Sequence, residues 1–238
     1  MACFLLPGVA LAGQVTVAVA ANFLTTAQAL AETFTAETGD EVALVHGSTG
    51  KLYAQIIAGA PYDLLLSADA ARPALLEQAG RIVPGQRKTY ALGRLALVYG
   101  AATPPGTLDD LLSRDLRLAI ADPAIAPYGA AAAEVLQTVR GKDGWRRDLV
   151  YGESVGQAFA FVATGNAQAG LVGLAQARDH AGDLRIIAVR ADRHAPIRQD
   201  AVLLARAQDH AAARRFFGFL SSPAALKIIA ASGYEVAP

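Results

Sequence analysis

Strand patterns and helix patterns alternate along the first part of the chain. Three short apolar runs have the length and composition of strands, at residues 15–20, 41–45 and 62–67. Each run is followed by a helix pattern, the first of which ends near Gly39. The third run contains three consecutive leucines, which is typical of a strand buried in a parallel sheet. This alternation predicts an α/β fold in which helices cover a parallel sheet.

A second strand–helix series follows, and the chain ends in a piece that resembles neither series. The second series predicts strands at 95–99, 116–121, 148–151, 169–172 and 184–189, and the last piece predicts a strand at 201–204 and helices at 207–220 and 223–231. We expect the chain to cross between its halves near Arg94 and Asp200. The predicted division is a leader at 1–12, a discontinuous domain I at 13–93 and 201–238, and domain II at 94–200. A cleft between two such domains is where a ligand would bind.

The composition is that of a folded protein without the charge of a nucleic-acid binder. Hydrophobic residues make up 53% of the 238 residues, which is enough for one large core or two smaller ones and excludes a disordered chain. Lys+Arg and Asp+Glu number 21 each, so the net charge is zero. No nucleic-acid partner is therefore expected. An anion would have to be bound by local dipoles and hydrogen bonds.

The N-terminus has the composition of the end of a secretory signal peptide. Residues 1–12 are apolar and close with Ala10-Leu11-Ala12, a small-x-small cleavage pattern, although a basic n-region is missing. The alternative is a disordered or core-packed N-terminus. Cys3 is the only cysteine, so the mature protein would have no disulfide, thiolate zinc site or cysteine nucleophile. No other stretch approaches the roughly 20 apolar residues that span a bilayer. We expect an exported, soluble, periplasmic protein.

Four strand-to-helix turns carry small polar residues or the open start of a helix. They lie at Ala21-Asn22, Ser48-Thr49, Pro127-Tyr128 and Ser154-Val155, two in each half. The first N–H groups of a helix have no partner within the helix, and the helix dipole is positive there. If the halves face each other, the four turns direct donors at one point, which suits a tetrahedral dianion. The alternative is that each Ser, Thr or Asn only caps its own helix.

Specific motifs of the first half are found at residues 17–23 (VAVAANF), 47–56 (GSTGKLYAQI) and 59–69 (GAPYDLLLSAD). By these motifs the chain resembles the periplasmic molybdate-binding proteins, the substrate-binding subunits of molybdate ABC importers. The resemblance extends through 121–123, 127–129, 154–155 and 170–172, and covers the chain from about Val15 to its C-terminus. It implies the type II periplasmic-binding-protein fold, with two α/β domains joined by two crossing strands and the ligand between them.

The resemblance also implies which residues line the oxyanion. Thr49 and Asn22 would act through side chain and backbone, and Tyr128 and Val155 mainly through backbone N–H groups. The neighbours in the same turns complete the expected set, Ser48 beside Thr49 and Ala21 beside Asn22. The resemblance implies no metal other than the molybdenum of the oxyanion, and no covalent chemistry.

Three positions depart from the pattern of the family. Many relatives have Ser where this chain has Asn22, and a Tyr donor where this chain has Gly173. We expect the hydroxyl of Tyr128 to replace that donor, as in a subgroup of the family. The same subgroup has Thr where this chain has Ala21, so one hydroxyl is expected to be absent.

Other chemistries lack their motifs. The segment Gly47 to Lys51 is not a P-loop, because Leu52 stands where a P-loop has Ser or Thr. Lys51 is then expected to be a solvated residue of the first helical turn, or a weak long-range attraction for the anion. No histidine has an evident place beside Ser154, Ser48 and Asp69 to complete a hydrolase triad. The four histidines lack the spacing of metal ligands, at His46, His180, His194 and His210. We expect neither enzymatic activity nor a cofactor.

The sequence therefore predicts a monomeric binding protein for molybdate and tungstate that delivers its ligand to the membrane permease of an ABC importer. Sulfate, phosphate or another tetrahedral oxyanion is the alternative ligand. The ligand-sensing domain of a transcription regulator is the alternative class, although a regulator should carry a helix-turn-helix arm and no signal peptide. Phosphate keeps a proton near neutral pH and needs an acceptor, which only Glu153 could supply at the four turns.

Overall fold

The computed structural model describes residues 13–180 and 182–236. The predicted signal-peptide remnant at 1–12 lies outside the described residues. Within them the chain forms two mixed sheets covered by helices, which confirms the predicted α/β fold class. No helix in this part of the chain is long and apolar enough to cross a membrane.

The first half folds in the predicted strand–helix order. Its elements are β1 (Gln14–Ala20), α1 (Leu24–Thr38), β2 (Glu41–Gly47), α2 (Thr49–Ile57), β3 (Leu64–Leu66), α3 (Ala71–Gln78) and β4 (Ile82–Gly93). A short 3-10 helix, Ala21–Phe23, joins β1 to α1.

The second half repeats strand–helix units, and the C-terminal part adds one strand and two helices. The second half comprises β5 (Leu95–Tyr99), α4 (Leu108–Ser113), β6 (Leu118–Ala121), α5 (Pro127–Arg140), β7 (Leu149–Gly152), α6 (Val155–Ala163), β8 (Ala169–Gly173), α7 (Leu174–His180) and β9 (Arg185–Ala188). The C-terminal part comprises β10 (Ile197–Leu204), α8 (Ala211–Phe219) and α9 (Pro223–Ala231).

Each half has its own five-stranded sheet. The first sheet has the order β2-β1-β3-β10-β4, in which β1 is parallel to its neighbours and β10 is antiparallel to β3 and β4. The second has the order β7-β6-β8-β5-β9, in which β6 is parallel to its neighbours and β5 is antiparallel to β8 and β9. The chain leaves the first sheet after β4 and returns to it at β10. The domain boundaries given above, at 93/94 and 200/201, stay a prediction.

The four turns singled out from the sequence all follow parallel strands. The turns after β1 and β2 belong to the first sheet, and those after β6 and β7 belong to the second. In open α/β sheets the carboxyl ends of the strands are the usual place for a ligand. The topology therefore brings four helix starts to the side of each sheet where ligands bind.

One long strand, β4, was not predicted. Its sequence contains Pro84 and Gly85 and then the charged pair Arg87 and Lys88, so it lacks the apolar pattern of a strand. It forms the edge of the first sheet, where proline is tolerated because one side of the strand needs no partner. Gly85 adopts φ 73°, a conformation that costs glycine little.

Strand β10 begins at Ile197, earlier than the predicted start at 201. Residues 198–200 near its start are polar, yet Gln199 and Asp200 are almost completely buried. The carboxylate of Asp200 accepts a hydrogen bond of 2.8 Å from the hydroxyl of Thr89 on β4. Buried polar residues with partners on another strand interrupt the apolar pattern, so the strand predicted from the sequence was shorter than the observed one.

Candidate functional site

A small cavity lies between the two halves at the four strand-to-helix turns. All six site residues expected from the sequence line it. The complete lining is Ala20, Ala21, Asn22, Gly47, Ser48, Thr49, Ala68, Ala126, Pro127, Tyr128, Ser154 and Val155. We call this space the turn cavity. Its volume is about 10 Å³, close to the smallest that holds one water molecule. The fold therefore brings together in space what the sequence places far apart.

The turn between β2 and α2 presents two hydroxyl groups to the turn cavity. Ser48 precedes the helix in an extended conformation, but its side chain does not cap α2. Its Oγ atom is buried and has no hydrogen-bond partner among the described residues. Thr49 Oγ1 accepts a hydrogen bond of 3.0 Å from the backbone N–H of Ala68, which leaves its own proton available. Both hydroxyls can therefore donate to a bound anion.

The second half contributes two helix starts. Helix α5 begins at Pro127, which has no N–H, so the first donor of this helix is the backbone N–H of Tyr128. Helix α6 begins at Val155, and Ser154 caps it by accepting from the N–H of Gln157 at 3.3 Å. The cap alternative thus holds for Ser154 and fails for Ser48. The N–H of Val155 precedes the capped one and stays without a partner within the helix.

Electrostatically, the turn cavity is neutral. Among the described residues, those that line it carry no charged side chain. Lys51 and Glu153 lie outside the lining and form an ion pair with each other, with 47% and 69% of their side chains exposed. Lys51 is exposed in the first turn of α2, as expected, and it is in addition paired with a residue of the opposite half. The acidic group considered as a proton acceptor is thereby engaged away from the cavity.

The side chain of Asn22 is occupied within the protein. Its Nδ2 atom donates to Gln199 Oε1 at 2.9 Å and to the hydroxyl of Tyr234 at 3.2 Å. The hydroxyl of Tyr234 donates in turn to the backbone carbonyl of Asn22 at 2.6 Å. The alternative that Asn22 only caps its helix therefore fails, and both amide protons are already used. Its backbone N–H remains as a donor toward the turn cavity.

The ring of Tyr128 fills a slot beside two glycines. A Cβ on Gly93 would lie 2.3 Å from the Tyr128 hydroxyl oxygen, and a Cβ on Gly173 would lie 3.3 Å from Cε1 of the same ring. The ring of Tyr128 thus lies alongside Gly173, where the resemblance to the family implied a tyrosine. Burial, followed by the nearby Tyr234 and Tyr90, raises the pKa of Tyr128 well above its usual value. The phenol therefore stays protonated and able to donate.

The two halves touch across the mouth of the turn cavity. The backbone N–H of Gly50 donates to the carbonyl of Ile125 at 2.9 Å. The guanidinium of Arg72 donates to the carbonyl of Ala124 at 3.0 Å, and the pair of Lys51 and Glu153 spans the same gap. These contacts describe a closed arrangement of the two halves.

The turn cavity has lining residues besides the six expected ones. Ser154 was named as part of its turn but not among the six expected site residues, and Ala68 was named only within the motif at 59–69. The hydroxyl of Ser154 was visible at the start of its helix, so its membership could have been inferred from the position of the turn. The role of Ala68 depends on its N–H reaching Thr49, a contact between separate strand–helix units that has no local signal.

Sequence similarity to known proteins extends over nearly the whole chain. The model of the family "Bacterial extracellular solute-binding protein" matches residues 15–235. The chain is 44% identical to the molybdate-binding protein ModA of Rhodobacter capsulatus over 229 residues, 94% of this chain and 89% of that protein. It is 41% identical to the molybdate-binding protein ModA of Azotobacter vinelandii over 240 residues, 97% of this chain and 93% of that protein.

Solved structures give the same pattern. The structure of the periplasmic molybdate-binding protein of Azotobacter vinelandii is 37% identical to this chain and matches with a TM-score of 0.86. The match covers 94% of this chain and 100% of that one. The sulfate-binding protein SubI of Mycobacterium tuberculosis matches with a TM-score of 0.79 at 18% identity, which reflects the shared fold.

Proposed function

The chain belongs to the bacterial extracellular solute-binding proteins, and on this premise we propose that it binds molybdate, or tungstate, in the turn cavity and supplies it to an ABC-type permease. The observation that carries the proposal is the buried hydroxyl of Ser48, which faces a neutral cavity without a partner. An unpaired buried donor costs free energy, about 1–3 kcal/mol, unless a ligand accepts a hydrogen bond from it. A small anion is such a ligand.

The donors around the cavity favour a fully deprotonated dianion. We propose that Ser48 and Thr49 donate through their hydroxyls, and that Asn22, Tyr128 and Val155 donate through backbone N–H groups. Ala21 contributes a wall without a hydroxyl. Each hydrogen bond to a charged acceptor contributes roughly 1.5–3 kcal/mol, so several together bind a dianion without a countercharge. Phosphate is disfavoured because its proton would meet no acidic acceptor among the lining residues.

The size of the cavity restricts the ligand to a small inorganic ion. A volume of about 10 Å³ is far below the several hundred Å³ of sites for drug-sized organic ligands. Molybdate is preferred to sulfate because the relatives with 41% and 44% identity are named for molybdate binding. No specific observation favours a sensing domain of a transcription regulator.

Export and delivery are part of the same proposal. The relative of known structure is named as periplasmic, and residues 1–12 of this chain have the composition of a signal-peptide end. We infer that the protein works in the periplasm as a monomer, and that the closed form presents its ligand to the permease. The anion is cargo and not a cofactor, and no chemical step is assigned to the cavity.

Thermal unfolding with and without added oxyanions tests the ligand. A ligand at about 100 times its dissociation constant stabilises the native state by about 2.7 kcal/mol, which raises the melting temperature measurably. We expect this shift with molybdate and tungstate, and a much smaller one with equimolar sulfate or phosphate. A shift with sulfate or phosphate alone would overturn the assignment.

A further inference from the structure

Five polar side chains form a buried cluster between the turn cavity and the strands that connect the halves. The exposed fraction of each residue is 6% or less. We call them the hinge cluster: Asn22, Tyr90, Tyr128, Gln199 and Tyr234. Two of them, Asn22 and Tyr128, also line the turn cavity. The cluster therefore connects the proposed anion site with residues that the anion cannot touch.

Tyr234 is bonded to the Asn22 turn twice. Its hydroxyl donates to the Asn22 carbonyl at 2.6 Å and accepts from the Asn22 side-chain amide at 3.2 Å. The second amide proton goes to Gln199 on β10. With its carbonyl and both amide protons engaged, the turn has little freedom to rotate. The direction of its backbone N–H groups is set by residues outside the cavity.

Tyr234 is itself fixed to the first crossing between the halves. The next residue, Glu235, exchanges two backbone hydrogen bonds with Leu92, at 2.8 and 3.1 Å. Its carboxylate also pairs with Arg94 at 2.5 Å. Leu92 and Arg94 flank Gly93, the last residue of β4, so the C-terminal segment lies against the point where the chain changes sheets.

We propose that Tyr234 is a positioning residue of the anion site: it holds the Asn22 turn in the orientation that directs its backbone donors into the turn cavity. This inference rests on the proposed function. A site built from N–H dipoles binds well only when the donors are oriented before the ligand arrives, since ordering them on binding costs free energy. Tyr234 supplies that orientation at the first-half turn that carries no hydroxyl directed at the ligand.

The chain provides a matched control for the test. Tyr90 is also buried, and its ring packs edge-on against Phe23 at 4.8 Å, as the ring of Tyr234 does at 5.0 Å. Its hydroxyl lies 3.1 Å from the Ser67 carbonyl oxygen and 3.3 Å from Gln199 Oε1, either of which can accept its single proton, and it makes no hydrogen bond with Asn22. Tyr90→Phe and Tyr234→Phe therefore remove the same group from similar surroundings, with different consequences for the turn.

The experiment measures the dissociation constant of molybdate by calorimetry at 25 °C, together with the melting temperature of each unliganded variant. We expect Tyr234→Phe to weaken binding about tenfold and Tyr90→Phe to weaken it less than about threefold, with similar losses of melting temperature. A purely structural role would lower the melting temperature without changing the affinity of the folded protein.

Three outcomes would overturn the inference. The first is an unchanged affinity in Tyr234→Phe, and the second is an equal loss of affinity in the two variants. Titration of the wild type tests the proposed function separately. If the wild type prefers another oxyanion, molybdate is refuted as the ligand, and the two variants are then compared with the preferred anion. The third outcome is a wild type that binds no oxyanion, which overturns both.

Discussion

The backbone N–H of Gly50 donates to the carbonyl oxygen of Ile125 at 2.9 Å, so the main chains of the two halves meet directly over the turn cavity. This approach leaves no room for a side chain. A Cβ on Gly50 would lie 2.9 Å from the carbonyl oxygen of Ile125 and 3.0 Å from its Cα and Cβ atoms. The need for glycine in the second residue of α2 thus comes from the opposite half of the molecule.

Replacing Gly50 by alanine should impair closure without harming the fold. The new methyl group would contact the backbone of Ile125, so the halves would stop short of the closed arrangement, and we expect molybdate affinity to fall at least tenfold. The unliganded protein should be as stable as the wild type or slightly more so, since alanine favours a helix over glycine by up to about 1 kcal/mol. Calorimetric titration and small-angle scattering with ligand measure the two effects.

Gly218→Ala is the matched control for this change. Gly218 lies in helix α8, and a Cβ there would have nothing within 4 Å. It should gain the same helix preference and keep full affinity. A Gly50→Ala variant that binds and compacts like Gly218→Ala would refute the role of this contact in closure.

Ser48 and Thr49 should respond differently to loss of their hydroxyls. Ser48→Ala removes a buried group without a partner, so we expect unchanged or higher stability of the unliganded protein and at least a tenfold loss of affinity. Thr49→Val also removes the acceptor for Ala68 N–H, so it should cost about 1–3 kcal/mol of stability as well as affinity. Urea unfolding and calorimetry separate the two. Equal destabilisation by both changes would contradict the structure.

Binding should depend little on salt. The lining residues are uncharged and the formal net charge of the chain is zero, so no basic field attracts the anion. Raising NaCl from about 50 to about 500 mM should change the dissociation constant less than about threefold, because screening acts on exposed charges. A steep loss of affinity with salt would show that Lys51 or another exposed cation provides much of the binding energy.

Alkaline pH should destabilise the protein through three of its buried tyrosines. Burial is the main cause that raises the pKa of Tyr90, Tyr128 and Tyr234 above the usual value of about 10. The folded protein therefore retains protons that the unfolded chain releases above about pH 10. Each retained proton lowers the free energy of unfolding by about 1.4 kcal/mol per pH unit, and the stability is intact below that pH.

Two measurements check the alkaline prediction. The midpoint of urea unfolding should fall steeply above about pH 10. Absorbance of tyrosinate should show that Tyr90, Tyr128 and Tyr234 ionise only as the protein unfolds. Ionisation of these three tyrosines in the folded protein would refute it. Tyr90→Phe should reduce the slope of the free energy of unfolding against pH by the equivalent of about one proton.

The sequence predicted the strand–helix order because apolar strands such as β3 and β5 are recognisable from local composition. It also located the four turns, since a helix start next to a small polar residue is a local pattern. It missed β4 because Pro84, Gly85 and two charges hide an edge strand. Partners distant in sequence, such as Asn22 and Tyr234, leave no local signal. The assignment of both amide protons of Asn22 therefore required the three-dimensional arrangement.

The position of β10 has a consequence for the order in which the protein can fold. The second sheet uses only strands between Leu95 and Ala188, so it can form as soon as that continuous stretch is available. The first sheet has β10 at an interior position between β3 and β4, and it remains split until Leu204 has arrived. During synthesis or export from the N-terminus, the half that is encoded later is therefore completed first. Until then the first sheet has unpaired strand edges, and the chain is most prone to aggregation during this period.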